Sequence, residues 1–241
     1  MKNKDFFYQQ YDKINWENQE KTKINSFIYQ FIIQQIFLKK KSPIIKIFDI
    51  GFGVGFFLKM LAGSLNTQYK QVVLEGCEPS EKNYNHLMRN PQKLNKGVSI
   101  ETYNKTFIET QINKKFDFIT SIYTFTAFVF EELVQSAKKI NSLLEKNGKF
   151  ILVVANEKYL EEKLKSKKDL SIESDSVIFK NKRYKEILHY SEIPQIGKVI
   201  DYNREEKFYI DLFEAEGFKL AKKENLNDNG FICTIFSFDK K

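Results

Sequence analysis

Three glycines at alternating positions form the most informative segment of the sequence. They lie in the run DIGFGVG (49–55), directly after a short apolar stretch. Gly51, Gly53 and Gly55 let the backbone turn tightly and approach a ligand with no side chain between them, and the start of the next helix offers free backbone N–H groups. A dinucleotide fingerprint has the spacing GxGxxG, and its third glycine would fall at Phe56. The segment therefore predicts a ligand-binding turn, with an acid, Asp49, two residues ahead, but disfavours a nicotinamide dinucleotide.

A carboxylate follows at the end of the next apolar run. Glu78 lies in EGCEPS (75–80), where an acidic side chain can accept both hydroxyls of a ribose. The alternative interpretation is a helix cap, contributed by Glu78 or by Ser80, ahead of the helix predicted next. Each motif alone has low specificity, but their spacing on consecutive strands favours one shared site.

Cysteine and histidine usage disfavours metal chemistry. Cys77 and Cys233 are far apart and form no CxxC pair, which excludes a disulfide framework and a cysteine zinc site. Only two histidines are present, His86 and His189, so a histidine-rich centre is also disfavoured. We therefore predict no metal site.

Alternating strands and helices have to position these residues. A parallel sheet with right-handed crossovers and helices on both faces is expected from such alternation. Apolar residues recur at helical spacing between 16 and 40, which predicts a long amphipathic helix behind an aromatic arm. The predicted strands are 44–50, 71–79, 97–103, 115–123 and 149–156, and the predicted helices between them are 56–65, 80–90 and 130–146.

The last third of the chain interrupts this alternation. Residues 157–203 are rich in lysine and glutamate and have weaker periodicity, whereas 204–218 is helical and Asn229-Gly230 predicts a hairpin turn. We predict one domain, 1–241, in four parts. These are an N-terminal arm and helix (1–40), a cofactor-binding core (44–156), a substrate-cap insertion (157–203) and a C-terminal helix and hairpin (204–241).

These motifs together resemble the class I S-adenosylmethionine-dependent methyltransferases. FDIGFGVG resembles their D-x-G-x-G-x-G signature, GCEPS their acidic-loop motif, KFDFITSIYTF their fourth strand and LLEKNGKFILVV their fifth. The resemblance covers residues 44–154 by motif and the rest by topology. It implies an α/β, Rossmann-like fold with a seven-stranded, mostly parallel sheet, an antiparallel C-terminal hairpin and helices on both faces. It also implies S-adenosyl-L-methionine as the cofactor.

The same resemblance implies a role for each motif residue. The glycines would pass beneath the methionine part of the cofactor, and Asp49 would orient their loop or the amino group. Glu78 would bind the ribose, Thr106 and Phe107 would flank the adenine, and Ser121 would lie beside the sulfonium. At 106–107 the chain has Thr-Phe, which departs from the small polar residues usual in the family at these positions. The implied cofactor-binding residues are Asp49, Gly51, Gly53, Gly55, Glu78, Pro79, Ser80, Thr106, Phe107 and Ser121.

The N-terminal arm carries three further aromatic candidates. Tyr8, Tyr11 and Trp16 either close over the cofactor, as N-terminal segments do in related enzymes, or dock the following helix against the core.

The acceptor side is less constrained. The segment SIYTF (121–125) lacks the N/D-P-P-Y/F motif of enzymes that methylate adenine N6 or glutamine amides, so both substrates are disfavoured. Tyr123 is a candidate for an apolar acceptor pocket or for the core. His189, with an ordinary pKa of about 6.5, is the candidate base, although a surface histidine is the alternative. Tyr202 and Arg204 are candidates for the same cleft, and Arg204 suits either a substrate carboxylate or a salt bridge.

The net charge of +8 leaves the partner class open. Of the 39 basic residues 36 are lysine, whereas nucleic-acid surfaces usually use arginine freely, so a small-molecule acceptor is favoured over nucleic acid. We therefore predict methyl transfer to an oxygen or nitrogen of a small molecule. The alternatives are an RNA or protein methyltransferase and a non-catalytic cofactor-binding protein. No signal peptide or membrane span is apparent, which predicts a cytoplasmic protein, and the sequence predicts no oligomeric state.

Overall fold

A seven-stranded sheet forms the centre of the molecule. The computed structural model describes residues 22–39, 42–91, 93–165, 172–193, 197–228 and 230–241. The strand order is β3-β2-β1-β4-β5-β10-β9, in which the first five strands pair in parallel and β10 pairs antiparallel with both β5 and β9. These strands are β1 (Ile44–Ile50), β2 (Gln71–Cys77), β3 (Val98–Tyr103), β4 (Phe116–Ile122), β5 (Leu144–Ala155), β9 (Phe218–Asp228) and β10 (Phe231–Lys240).

Helices cover both faces of this sheet. One face packs against α1 (Lys23–Lys39) and α2 (Phe56–Leu65), and the other against α4 (Phe130–Leu143) and α6 (Glu206–Ala215). α3 (Glu81–Arg89) connects β2 to β3. Central strands covered on both sides have apolar side chains pointing both ways, which explains why β1 and β2 are nearly continuous apolar runs. The predicted fold class is confirmed.

The end of α4 differs from the prediction. The apolar periodicity predicted a helix to residue 146, but α4 ends at Leu143 and β5 begins at Leu144. Leu144 pairs with Phe116 of β4, and the register then shifts, so that Phe118 lies opposite Lys149. Within the shifted segment Asn147 has a φ of 64°, which a helix does not accommodate. Strand pairing thus overrides the local helical pattern.

Residues 157–204 form a helix and a second, smaller sheet. α5 (Glu157–Lys165) is followed by β6 (Ile172–Phe179), β7 (Lys182–Ile193) and β8 (Gly197–Arg204), which are antiparallel in the order β6-β7-β8. The sequence analysis did not predict these strands. β8 lies against the short 3₁₀ turn Thr124–Ala127 that follows β4, so the small sheet adjoins the carboxyl edge of the large one. Its role as a substrate cap stays a prediction.

Two sequence predictions concern residues at or before residue 40. The aromatic arm with Tyr8, Tyr11 and Trp16 lies outside the described residues, as does the part of the predicted first helix before residue 22. Among the described residues, none of the helices combines the length and the apolar character that crossing a bilayer demands. The cytoplasmic location stays a prediction.

Candidate functional site

The predicted site residues meet at the carboxyl edge of the parallel strands. β1 pairs with β2 on one side and with β4 on the other, so the chain changes direction of winding next to β1. Open α/β sheets bind ligands in the crevice at such a switch point. The glycine turn follows β1, Glu78 follows β2 and Ser121 lies near the end of β4.

The glycine turn has a backbone that requires glycine. Gly51, Gly53 and Gly55 have φ values of 69°, 58° and 82°, in the left-handed region that side chains disfavour. A Cβ atom on Gly51 would lie 2.3 Å from Oγ1 of Thr124, and one on Gly55 would lie 2.6 Å from Cδ1 of Leu87. The turn thus lets the 3₁₀ segment after β4 and helix α3 approach the end of β1 closely.

Glu78 holds this turn in place. One carboxylate oxygen accepts a hydrogen bond from the Gly53 N–H at 2.9 Å, and the other accepts one from the Ser80 N–H, also at 2.9 Å. The Gly51 N–H also donates to the carbonyl of Cys77, at 2.8 Å. The two motifs that the sequence analysis placed on consecutive strands are therefore joined directly, and Glu78 is 7% exposed at their junction.

Ser80 and Asn104 complete the surroundings of Glu78. The Ser80 hydroxyl accepts a hydrogen bond from the Asn83 N–H at 3.2 Å and is the N-cap of α3, which is the alternative interpretation given above. Pro79 lies between Glu78 and Ser80, and its carbonyl accepts a hydrogen bond from the Asn104 side-chain amide at 3.3 Å. The same amide donates to the Glu78 carbonyl at 2.9 Å, so the segment after β3 is attached to the acidic loop.

Two polar side chains lie buried at the ends of β1 and β4. The Asp49 carboxylate accepts a hydrogen bond from the Thr120 hydroxyl at 2.6 Å, which gives Asp49 a fixed orientation beneath the glycine turn. Ser121 is fully buried, and its hydroxyl has no hydrogen-bond partner among the described residues. An unpaired buried hydroxyl is costly, so this position suits a polar ligand group.

The turn after β3 brings Thr106 and Phe107 to the same edge. The Thr106 hydroxyl donates to the Glu109 carboxylate at 2.6 Å. The Phe107 ring is buried in the core, 5.8 Å from the ring of Phe48. A ligand at this turn would therefore contact the backbone or Thr106 rather than the aromatic ring. Lys139, which the sequence analysis missed, lies beneath the turn with its ammonium 4.8 Å from the centre of the Phe107 ring.

Arg204 and Tyr202 lie on one face of β8. The guanidinium of Arg204 forms an ion pair with Glu186 of β7 at 2.7 Å and donates to the Phe128 carbonyl at 3.1 Å. The Arg204 side chain is 1% exposed, so a substrate carboxylate would have to replace Glu186. Tyr202 is half-buried, and burial, together with the negative charge of Glu186, raises the pKa of its hydroxyl. The Tyr202 hydroxyl therefore stays a hydrogen-bond donor at neutral pH.

His189 lies on the opposite face of the small sheet. It is directly across from Asp201 in the β7–β8 ladder, whereas Tyr202 is across from Leu188. Successive side chains of a strand point to opposite faces, so His189 shares the face of Ile187, which packs against Leu160 of α5. The structure therefore separates His189 from Tyr202 and Arg204, which the sequence analysis placed in one cleft.

Tyr123 follows the end of β4 in a strained conformation. Its φ of 58° is unusual for a residue with a side chain, and its amide donates to the Val153 carbonyl at 2.9 Å. The ring packs on the face of the sheet that α1 and α2 cover. Burial and the neighbouring Cys233 raise the pKa of its hydroxyl, so the hydroxyl stays protonated at neutral pH.

Several partners in this site escaped the sequence analysis. Thr120 and Thr124 lie within the fourth-strand segment quoted above, but their contacts with Asp49 and with the end of β1 were not predicted. Asn104 and Lys139 contact Glu78 and Phe107 from segments without a motif of their own. Among the described residues, no group of three histidine, cysteine, aspartate or glutamate side chains is arranged to hold a metal ion.

Comparison with known proteins gives matches among solved structures. No protein-family model and no curated protein sequence matches this chain. The magnesium protoporphyrin IX methyltransferase of Synechocystis PCC 6803 is 14% identical, with 98% of this chain and 94% of that chain covered and a TM-score of 0.66. A methyltransferase of Methanosarcina mazei is 17% identical, with coverages of 85% and 96% and a TM-score of 0.63.

A third structure extends this likeness to another acceptor. The 1,6-didemethyltoxoflavin-N1-methyltransferase of Burkholderia thailandensis is 11% identical, with coverages of 97% and 88% and a TM-score of 0.60. At these identities the likeness concerns the fold. The strand order, the antiparallel C-terminal hairpin and these matches agree, and the chain has the fold of the class I S-adenosylmethionine-dependent methyltransferases.

Proposed function

We propose that this protein is an S-adenosylmethionine-dependent methyltransferase that acts on an oxygen or nitrogen of a small molecule. The observation that carries the proposal is the hydrogen bond from the Gly53 N–H to the Glu78 carboxylate, at the switch point of the sheet. It brings a glycine-rich backbone turn and a buried acid to one crevice. A nucleoside with a polar amino-acid tail needs these two features.

The residues present fit the proposed cofactor. The Gly53 and Ser80 N–H groups orient the two carboxylate oxygens of Glu78 at the junction of the two motifs, and a carboxylate accepts more than one hydrogen bond at each oxygen, which suits the two hydroxyls of a ribose. The Ser121 hydroxyl supplies an unpaired polar group at the end of β4. The glycine turn offers backbone rather than side chains to the methionine part, and Asp49 is held beneath it by Thr120.

The chain's own residues would orient the reactants and keep water away. Bound S-adenosylmethionine supplies the methyl group, which it carries on a sulfonium centre. Because the leaving group is a neutral thioether, its departure needs no acid from the protein. The protein contributes alignment of the acceptor with that methyl group, and a base where the acceptor must lose a proton. His189 is the proposed base, and Tyr202 is a donor on the other face of the small sheet.

Small-molecule acceptors are supported by the known relatives of this fold and by the small sheet. The similar structures include enzymes named for a porphyrin, a toxoflavin precursor and an amino pentose. In this chain β8 adjoins the 3₁₀ turn after β4, where a cap would enclose a small acceptor. We propose this role for residues 157–203.

A labelling experiment tests the activity and the acceptor class together. A cell extract is first separated into fractions of small molecules, RNA and protein. Each fraction is then incubated with the protein and with S-adenosylmethionine tritiated in the methyl group. We expect tritium to enter the small-molecule fraction, and Gly53→Arg, which places a long side chain in the turn, to abolish the transfer. Label in RNA or protein would favour those alternatives. Binding of the cofactor without any transfer would favour a non-catalytic protein.

The role of His189 is tested once an acceptor is known. His189→Ala should lower turnover without changing cofactor affinity, and His86→Ala on α3 is the matched control because it removes the other histidine. Tyr202→Phe is measured beside them. Wild-type turnover of His189→Ala together with reduced turnover of Tyr202→Phe would move the acceptor to the Tyr202 face and exclude His189 as the base.

A further inference from the structure

Lys139 is a half-buried lysine whose ammonium group donates all its hydrogen bonds inside the protein. It projects from α4 beneath the turn after β3 and donates hydrogen bonds to three backbone carbonyls. The acceptors are Phe107 at 2.5 Å, Ile108 at 3.2 Å and Thr110 at 2.5 Å. An ammonium has three N–H donors, so each is assigned to one carbonyl of a single turn.

The carbonyls are the main compensation for this charge. Within the described part of the chain Lys139 forms no ion pair, and burial lowers the pKa of its ammonium. The nearby Cys77 thiol supplies no counter-charge, because burial raises its pKa to about 12 and keeps it neutral. A desolvated lysine without a carboxylate is expensive, so the hydrogen bonds to the turn are what retain it there.

Holding these carbonyls fixes the direction of the adjacent amides. A trans peptide is planar, and its N–H points opposite to its C=O. The N–H groups of Ile108, Glu109 and Gln111 therefore point away from Lys139. The Glu109 N–H is directed back to the Thr106 hydroxyl at 3.3 Å. The Glu109 N–H is thus used within the turn, and the N–H groups of Ile108 and Gln111 are directed to the side of the turn that faces away from Lys139.

This turn is physically linked to the acidic loop. The Glu78 N–H donates to the Tyr103 carbonyl at 3.0 Å, and Asn104 donates to the Glu78 carbonyl at 2.9 Å. A connected path therefore runs from Lys139 through the turn and Asn104 to Glu78 and, by its carboxylate, to Gly53. A nucleoside whose ribose lies at Glu78 has this turn within reach of its base.

We propose that Lys139 is a positioning residue that holds the turn 106–110 in the conformation that selects the base of the bound nucleoside. The inference rests on the proposed function, since it assumes an adenosyl ligand with its ribose at Glu78. It adds that discrimination among bases depends on a lysine that touches no ligand.

The experiment compares Lys139→Met with Lys138→Met. Methionine keeps the length of the side chain and removes the three donors, and Lys138 is an exposed lysine on the same helix, so both variants lose the same charge. Two quantities are measured. The first is hydrogen exchange of the backbone amides in 106–111 without ligand. The second is calorimetric affinity for S-adenosylhomocysteine and for S-inosylhomocysteine, which has an oxo group and an N1–H in place of the amino group and bare N1.

We expect Lys139→Met to exchange faster at 106–111 and to bind S-adenosylhomocysteine about tenfold more weakly, the effect of losing roughly one ordered backbone residue. Its preference for the adenosyl over the inosyl compound should fall as well. General destabilisation would weaken both ligands equally and leave that preference unchanged. Lys138→Met should match the wild type in exchange, in affinity and in the preference derived from the two affinities.

The possible failures are distinguishable. Wild-type exchange, affinity and preference in Lys139→Met would overturn the role of Lys139 while leaving the proposed function intact. Faster exchange with an unchanged preference would also overturn it, because the lysine would then only stabilise the fold. A wild-type protein that binds neither compound would overturn both the proposed function and this inference.

Discussion

Replacing Glu78 by glutamine separates its support of the glycine turn from its proposed binding of the ribose. The carboxylate accepts from two backbone N–H groups, both at 2.9 Å. Glutamine keeps one oxygen and replaces the other by NH₂, so one of those N–H groups would face a donor. A hydrogen bond to a charged group contributes about 1.5–3 kcal/mol, and we expect Glu78→Gln to lose about 2 kcal/mol of unfolding free energy. For a chain of this size that lowers the melting temperature by about 4–8 °C.

The effect on binding is expected to be larger. The Glu78 carboxylate is proposed to accept both ribose hydroxyls, and removing its charge weakens each of these bonds. A combined loss of about 2.7 kcal/mol corresponds to about 100-fold weaker binding of S-adenosylhomocysteine.

The assay is calorimetry with S-adenosylhomocysteine, accompanied by thermal unfolding without ligand. Glu81→Gln is the control, because it makes the same chemical change three residues away. Glu81 is exposed in the first turn of α3. Lower stability with wild-type affinity in Glu78→Gln would mean that Glu78 only supports the turn, which would refute the ribose assignment. Unchanged stability would contradict the two hydrogen bonds themselves.

Two further predictions concern packing and pH. Gly51→Ala should lower the free energy of unfolding by about 2–3 kcal/mol, because the new Cβ atom would sit at a left-handed φ and overlap with Thr124. Adding Thr124→Ala should cost less than the sum of the single changes in urea unfolding, and strict additivity would contradict the overlap. Burial raises the pKa of Asp211, but hydrogen bonds from Lys207 and Tyr184 outweigh it and hold the pKa at about 2. Because Asp211 is more acidic folded than unfolded, its stabilisation is complete above about pH 4 and is lost as the pH falls towards 2. Asp211→Asn should remove this part of the acid dependence of unfolding, and a pH profile identical to wild type would contradict the pairing.

The parallel core was predictable because burial on both faces leaves a clear sequence pattern. The predicted strand 44–50 coincides with β1, and the glycine turn and Glu78 were placed correctly at the ends of adjacent strands. Those residues carry their information locally, in spacing and residue type. The helix predicted to residue 146 was too long at its end, because the pairing of Leu144 with Phe116 is a contact between distant segments.

The small sheet was not predictable by the same reasoning. Its strands are antiparallel and largely polar: residues 173–176 are exposed, and two of its buried positions are the charged residues Glu186 and Arg204. A hydrophobicity pattern assigns such residues to the surface. Only the register of β7 against β8 brings the two charges together, and it places His189 and Tyr202 on opposite faces.

Lys139 illustrates the corresponding limit for the site. It lies next to Ile140 on α4, so helical periodicity alone assigns it to the solvent-exposed side. Its partners are backbone carbonyls, which have no residue type and leave no signal in a sequence. The motif residues of the site could therefore be predicted, but not the side chains that hold their loops.

The most direct test of the central claim is calorimetry of the wild-type protein and Gly53→Arg with S-adenosylhomocysteine, S-adenosylmethionine and NAD. The account predicts that the wild type binds both adenosyl compounds and not NAD. It also predicts that the folded Gly53→Arg variant, confirmed by circular dichroism, binds none of the three. Binding of NAD alone, or equal binding of the adenosyl compounds by the variant, would contradict a cofactor site at the glycine turn.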